Sequence, residues 1–221
     1  MKITYLGHSC FCIESKTGVK LVTDPYTRVG YELPKGLTAD VVLVSHGHYD
    51  HNYLDAISGN PTVITAAGEY AVDGITIKGF DTWHDSKQGA LRGKNVMFQF
   101  TVDGITFCHF GDLGEMNFGK VAQAVSGADV WLIPVGGTYT IDAAQAKEYM
   151  ERLSPTLVIP MHYRPKDGGL DIAEIGCFLN QVDAARVFAC PLGEVVLTKE
   201  DLDGLSGKII YMERQNLYGG Q

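Results

Sequence analysis

The 221-residue chain has no apolar run of the length needed to cross a bilayer. It has no lysine- or arginine-rich tract either. Its densest basic stretch, Lys87 to Lys94, is interrupted by Gly89, Ala90 and Leu91. With 18 Lys and Arg against 26 Asp and Glu, the formal net charge is −8. That balance repels phosphate backbones, so nucleic acid is not an expected partner. The N-terminal Met1-Lys2-Ile3-Thr4-Tyr5-Leu6 lacks the apolar core and small-residue cleavage site of a secretion signal. Cysteines number five, an odd count with no CxxC pair. Cys10 and Cys12 share a strand face, and Cys108, Cys177 and Cys190 sit in apolar surroundings. Buried free thiols in a reducing cytoplasm are the expected reading, with packing favoured over metal ligation for Cys10. No GxSxG elbow is present, which assigns the nucleophile of any hydrolysis to water. There is no linker, low-complexity segment or short-period repeat, and the length suits one domain over 1–221.

What the chain does have is concentrated in Ser45-His46-Gly47-His48-Tyr49-Asp50-His51-Asn52. Three of the seven histidines and one carboxylate fall within six positions. The preceding Ala39-Asp40-Val41-Val42-Leu43-Val44 is a short β-branched run that reads as a buried strand. The histidines therefore stand where a strand passes into its loop, a common location for functional groups. In extended chain alternate side chains share a face, which lets His46 and His48 point the same way. Neutral imidazole suits zinc, and a carboxylate adds a harder oxygen ligand. A solvated polar loop is the alternative, and four ligand-type side chains in six residues weigh against it.

His46-x-His48-x-Asp50-His51 resembles the signature of the metallo-β-lactamase superfamily. Other elements of that family follow in order: Asp24 in Leu21-Val22-Thr23-Asp24-Pro25, His84 in Thr82-Trp83-His84-Asp85, Asp112 in His109-Phe110-Gly111-Asp112, and His162 in Ile159-Pro160-Met161-His162-Tyr163. The opening Gly7-His8-Ser9-Cys10 is similar to the branch that contains ascorbate-6-phosphate lactonase and small metal-dependent hydrolases. The resemblance implies an α/β fold, the four-layer αββα sandwich, with ligands converging on one edge of two facing sheets. It implies two divalent cations, zinc first, with manganese or iron as alternatives. His46, His48 and His84 would hold one cation, Asp50, His51 and His162 the other, and Asp112 would bridge them.

The pattern of the chain supports such a fold. Strands are expected at Lys2–Leu6, Phe11–Glu14, Val19–Thr23, Thr62–Thr65 and Ile75–Lys78, then a long loop from Asp81 to Lys94. Asn95–Val102 and Ile105–Phe110 flank Asp103-Gly104 as a hairpin. Val130–Val135, Leu157–Met161, Val187–Ala189, Val195–Leu197 and Lys208–Met212 are further strands. A helix is expected at Val121–Val125. Asp142 caps another over Ala143–Leu153, and a third is expected over Asp171–Val182.

Several residues carry two readings. Asp112 is a bridge or the N-cap of the helix after it. Asp24 is the acceptor of a ligand imidazole's second N–H or an Asp-Pro turn. His109 falls on the face opposite Asp112 and is a core or supporting residue. His8 is a proton donor, a substrate contact or a structural residue, and Asp50 orients the nucleophile while ligating. Arg92, Lys94, Asn95 and Arg164 are anion-holding candidates or ordinary loop residues. Two close cations acidify a shared water and polarise the substrate oxygen. The expected activity is hydrolysis of a small ester, lactone or phosphodiester, with a small molecule, anionic or neutral, as partner. The alternatives are a dinuclear-iron redox protein and a metal binder without turnover. Self-association is left open.

Overall fold

The structure, a computed structural model, describes residues 1–215; the remainder of the expected 1–221 domain lies outside the described residues. Two sheets carry the architecture. The first has six strands in the order Glu194–Val196, Lys2–Gly7, Cys10–Glu14, Lys20–Thr23, Val41–Leu43 and Thr62–Ile64. The second has eight, in the order Val187–Cys190, Lys208–Met212, Leu157–Met161, Val130–Pro134, Ile105–His109, Lys94–Val102, Ile75–Trp83 and Gly68–Val72. Leu37–Thr38 and Ile57–Ser58 form a small two-stranded sheet.

The period-two rule sorts the first sheet's side chains. Leu21, Val41 and Leu43 join the core between the sheets, with Ile3, Phe11, Phe98, Phe107 and Ile133. Their neighbours Val22, Val42 and Val44 turn outward into a second core with Tyr26, Val29 and Leu33. Val41–Leu43 is thus buried on both faces and paired in parallel on both edges, which explains its unbroken apolar run. Asp73-Gly74 and Asp103-Gly104 both place a non-glycine and a glycine at positive φ, as tight hairpin turns require. Asp142 and Gln145 form a reciprocal capping box at the start of Ala143–Leu153.

Three expectations need correction. Asp171–Val182 is not one helix; only Gly176–Leu179 is helical, because Gly168, Gly169 and a β-bridge between Arg164 and Glu174 hold the chain in loop form before it. The expected strand Ile75–Lys78 runs on to Trp83, and it pairs with Gly68–Val72, whose exposed face hid its alternation. Cys177 is exposed rather than buried, while Cys10 and Cys108 are buried. No helix among the described residues is long and apolar enough to cross a membrane.

The two sheets meet at one edge through backbone hydrogen bonds. Val96 N–H donates to the Ser45 carbonyl at 2.9 Å, and His162 N–H donates to the His8 carbonyl at 2.8 Å. The chemistry-bearing residues gather at this seam.

Candidate metal centre

Each candidate leaves the carboxyl end of a different strand. His8 follows Lys2–Gly7, Asp24 follows Lys20–Thr23, and the histidine cluster follows Val41–Leu43. His84 follows Ile75–Trp83, Asp112 comes soon after Ile105–His109, and His162 follows Leu157–Met161. Strand carboxyl ends are the usual mouth of an α/β sheet. His8, Asp24 and His162 have φ of 54°, 40° and 52°. Non-glycine residues visit that region at a cost and cluster at functional sites. Two glycines permit the close packing. A Cβ on Gly111, at φ 55°, would collide with Asn95 Oδ1, and one on Gly136 would collide with the His162 carbonyl oxygen.

Asp112 sits at the centre. Its carboxylate oxygens lie 3.2 Å from His51 Nε2, 3.3 Å from His84 Nε2, 3.4 Å from His162 Nε2 and 3.9 Å from His46 Nε2. The remaining ligand-type atoms fall into overlapping groups: His46 with His48 and His84, His46 with His51 and Asp112, and His8 with Asp50, His51 and His162. All seven residues expected as metal ligands are therefore brought together. Asp112 is not a helix cap, since Asn117 caps Phe118–Val125.

The donor set fits a metal on two grounds. Nε2 of His46, His51 and His162 and Oδ1 of Asp112 are buried and make no hydrogen bond. Buried polar atoms are rarely left so, and such facing atoms need a shared partner. Donors at ~2.0–2.1 Å from one tetrahedral cation stand about 3.3–3.4 Å apart, close to three of the four Asp112 separations.

Supporting residues fix the ligands. Asp24 is fully buried; its Oδ1 accepts Ser45 N–H at 2.7 Å. Its Oδ2 accepts the Ser45 hydroxyl at 2.7 Å and faces His51 Nδ1 at 2.9 Å and His109 Nε2 at 2.8 Å. The Asn95 amide bonds Thr82 Oγ1 and the Phe110 carbonyl, while its Oδ1 accepts Asp112 N–H at 2.8 Å. Asn95 is thus a buried positioning residue, not an anion-holding loop residue. Its signal in the sequence was a lone amide opening an apolar strand. Arg164 is also placed elsewhere: it pairs with Glu174 at 2.8 Å and lines a separate cavity with Tyr5, Tyr31 and Arg214. Arg92 and Lys94 do line the cleft of about 660 Å³ beside His46 and His48, together with Asp81.

Burial shapes the charges. It lowers His8 to about 4, with His162 adding to the effect and the Asp50 hydrogen bond opposing it. It lowers His46 to about 2, with His51 adding. Burial would also lower His51, but Asp112 and Asp24 outweigh it and raise that imidazole well above its usual value. Asp112 moves the other way: burial would raise it, and His162 and His51 hold it well below the carboxylate range. Without a cation, then, His51 stands between two carboxylates that favour its imidazolium form, with Nδ1 toward Asp24 and Nε2 toward Asp112, and ligation must displace the Nε2 proton.

These shifts give a pH dependence for chelator-treated protein. An imidazole in the unfolded chain titrates near 6.5, whereas folded His8 and His46 stay neutral to lower pH. Between folded and unfolded values the unfolded state binds more protons. The contribution of these two imidazoles is therefore full above about pH 6.5 and is lost toward pH 4, by about 1.4 kcal/mol per pH unit for each excess proton. His51, raised in the folded state, is largely protonated in both states below about pH 6 and adds little slope there; its own contribution is lost as the pH rises above about 6.5. A melting midpoint that stays level from pH 6.5 to 4.5 would contradict this.

The comparisons agree with the geometry. A model of the β-lactamase superfamily domain matches residues 2–162. The chain belongs to the metallo-β-lactamase superfamily. A UPF0173 metal-dependent hydrolase of Carboxydothermus hydrogenoformans is 31% identical over 192 residues, 74% of this chain and 84% of that protein. A Thermotoga maritima structure, described as a zinc-dependent hydrolase of the superfamily, is 36% identical. It superposes with a TM-score of 0.77 over 96% of this chain and 97% of its own. A metallo-hydrolase from Ignicoccus hospitalis, 24% identical with a TM-score of 0.66, shares the fold over 97% of this chain and 96% of its own. The expected α/β sandwich of this superfamily is the fold observed, and the protein is a metal-dependent hydrolase with a histidine–aspartate cluster able to bind metal.

Proposed function

We propose that this superfamily member is a dinuclear hydrolase, with zinc the first choice of cation, acting on a small anionic ester, lactone or phosphodiester. The observation that carries the two-cation reading is one buried carboxylate, Asp112, within 3.2 to 3.9 Å of four imidazoles from three segments. In this reading His46, His48 and His84 hold one cation, Asp50, His51 and His162 hold the second, and Asp112 serves both. Such cations supply Lewis acidity and bring the pKa of water toward about 7. Asp50 Oδ2 lies 3.2 Å from His8 Nε2, and its side chain is 12% exposed, which suits it to orient the attacking water. Free cysteines agree with a reducing cytoplasm, and coverage of whole relatives agrees with one domain over 1–221.

Arg92 and Lys94 support an anionic substrate. The Arg92 guanidinium donates to the Thr138 carbonyl at 3.3 Å and stands 5.3 Å from the centre of the Tyr139 ring, so it is braced but keeps donors free. Its loop is held by Asp85, whose carboxylate accepts the amides of Lys87, Gly89, Leu91 and Arg92. Arg92→Ala is expected to raise KM for an anionic substrate about tenfold with kcat little changed, the mark of binding shared by ground and transition states. An unchanged KM would remove Arg92 from substrate recognition.

The deciding experiment is a panel of chromogenic esters, lactones and phosphodiesters, run on metal-stripped protein with zinc, manganese or iron added back. Hydrolysis that returns with metal supports the reading. No turnover with any class in a protein holding two cations would favour a binder, and iron retained through purification with redox activity would favour the redox alternative.

A further inference from the structure

The seven ligands leave His8 unassigned, although its ring stands among them. His8 is 1% exposed and follows a bulge between Tyr5 and Gly7 in the first strand pair. Its carbonyl accepts His162 N–H at 2.8 Å and the Tyr5 hydroxyl at 3.0 Å, which fixes the backbone in its left-handed conformation. Its ring centre is 4.2 Å from that of His162 and 4.9 Å from that of His51. Its Nε2 is 3.2 Å from Asp50 Oδ2, the spacing of two donors on one cation as well as of a hydrogen bond. One ligand atom each from His8, Asp50, His51 and His162 fits within a 4.8 Å group. A proton donor would face the substrate, but His8 is buried and does not line the cleft beside His46 and His48.

We propose that His8 is itself a ligand of the second cation, making that position the richer and tighter of the two. This rests on the two-cation reading above. The second cation then has His8, Asp50, His51 and His162 with a share of Asp112, against His46, His48 and His84 with the other share. His48 is exposed, whereas His8, His51 and His162 are buried. The first position is consequently the exchangeable one, on the side of the cleft. Five nitrogen and oxygen donors lie within the range of zinc, manganese or ferrous iron.

The test uses intact protein labelled with nitrogen-15 in its histidines and loaded with cadmium-113. Ring signals are assigned by connectivity, so no substitution is required. Of seven imidazoles, six are expected to show cadmium–nitrogen coupling, with His109 uncoupled because it serves Asp24. At one equivalent of cadmium, His8, His51 and His162 should couple first. Coupling at the other five ligands but not at His8, or first coupling at His46, His48 and His84, would overturn the proposal. No coupling at any histidine would instead bring down the metal reading itself. A second arm uses His8→Asn, chosen because asparagine tolerates positive φ. It should keep one cation and weaken the other at least 10-fold, whereas His48→Ala should weaken the opposite one. Two unchanged affinities in His8→Asn would also overturn the assignment.

Discussion

Asp112→Asn is expected to fold, to release one cation and to lose activity by more than about 100-fold, beyond the 10–100-fold typical of losing a group that only supports a ligand. The substitution keeps the shape of the side chain and removes its charge. The backbone is unaffected, because Asp112 N–H still donates to Asn95 Oδ1. What changes is the field at the centre of four imidazoles. Two divalent cations repel one another, and the ions' own charge dominates such a site. A carboxylate between them offsets that repulsion, and an amide offers one neutral oxygen and an N–H pair. In the cation-free protein the variant also withdraws one of the two carboxylates that hold a proton on His51. Cation content by elemental analysis and turnover on the best substrate of the panel give the answer. Two retained cations with near-normal turnover would show that Asp112 does not bridge.

The ligands were more legible than the frame that holds them, and the reason is chemical. His46-x-His48-x-Asp50-His51 is dense enough in sequence to declare itself, and the apolar run before it marks the strand that carries it. His84, Asp112 and His162 each stand at or just beyond a strand end, and only their resemblance to a family order singled them out. The frame is assembled from residues far apart in the chain, with no local signature. Ser45, whose hydroxyl joins Asp24 to His46 Nδ1, looks like any serine before a loop. Asn95 reaches its partners across 13, 15 and 17 positions. Among the elements, Asp171–Val182 has enough apolar residues for a helix, yet the chain there is pinned by Arg164 and by Ala173 N–H to the Gly136 carbonyl. The Ala143–Leu153 helix needed no such long-range information, because cap, box and periodicity are all local.

Asp24→Asn should leave one cation position nearly intact and weaken the other by about 10–100-fold, although Asp24 is placed as no cation's ligand. The wild-type carboxylate accepts from four groups: Ser45 N–H, the Ser45 hydroxyl, His51 Nδ1–H and His109 Nε2–H. Burial would raise its pKa, but His109 and His51 outweigh that and hold it ionised. An ionised acceptor at Nδ1 keeps the proton there and leaves His51 Nε2 free to face Asp112 Oδ1 at 3.2 Å. Asparagine keeps one acceptor, best used on Ser45 N–H, and turns its NH2 toward the two imidazoles. His51 must then accept at Nδ1 and carry its proton on Nε2, the atom that would ligate. The wrong tautomer, more than any lost packing, is therefore the expected defect, as with an aspartate behind a catalytic histidine. His46, His48 and His84 do not touch Asp24 through their ligating nitrogens, so their cation should stay. Some loss of stability accompanies the change, on the order of 1–3 kcal/mol for a buried donor left without an acceptor. Nitrogen-15 spectra of the His51 ring distinguish the tautomers directly. A His51 ring still protonated at Nδ1, together with wild-type cation content, would show that Asp24 does not set the state of its ligand.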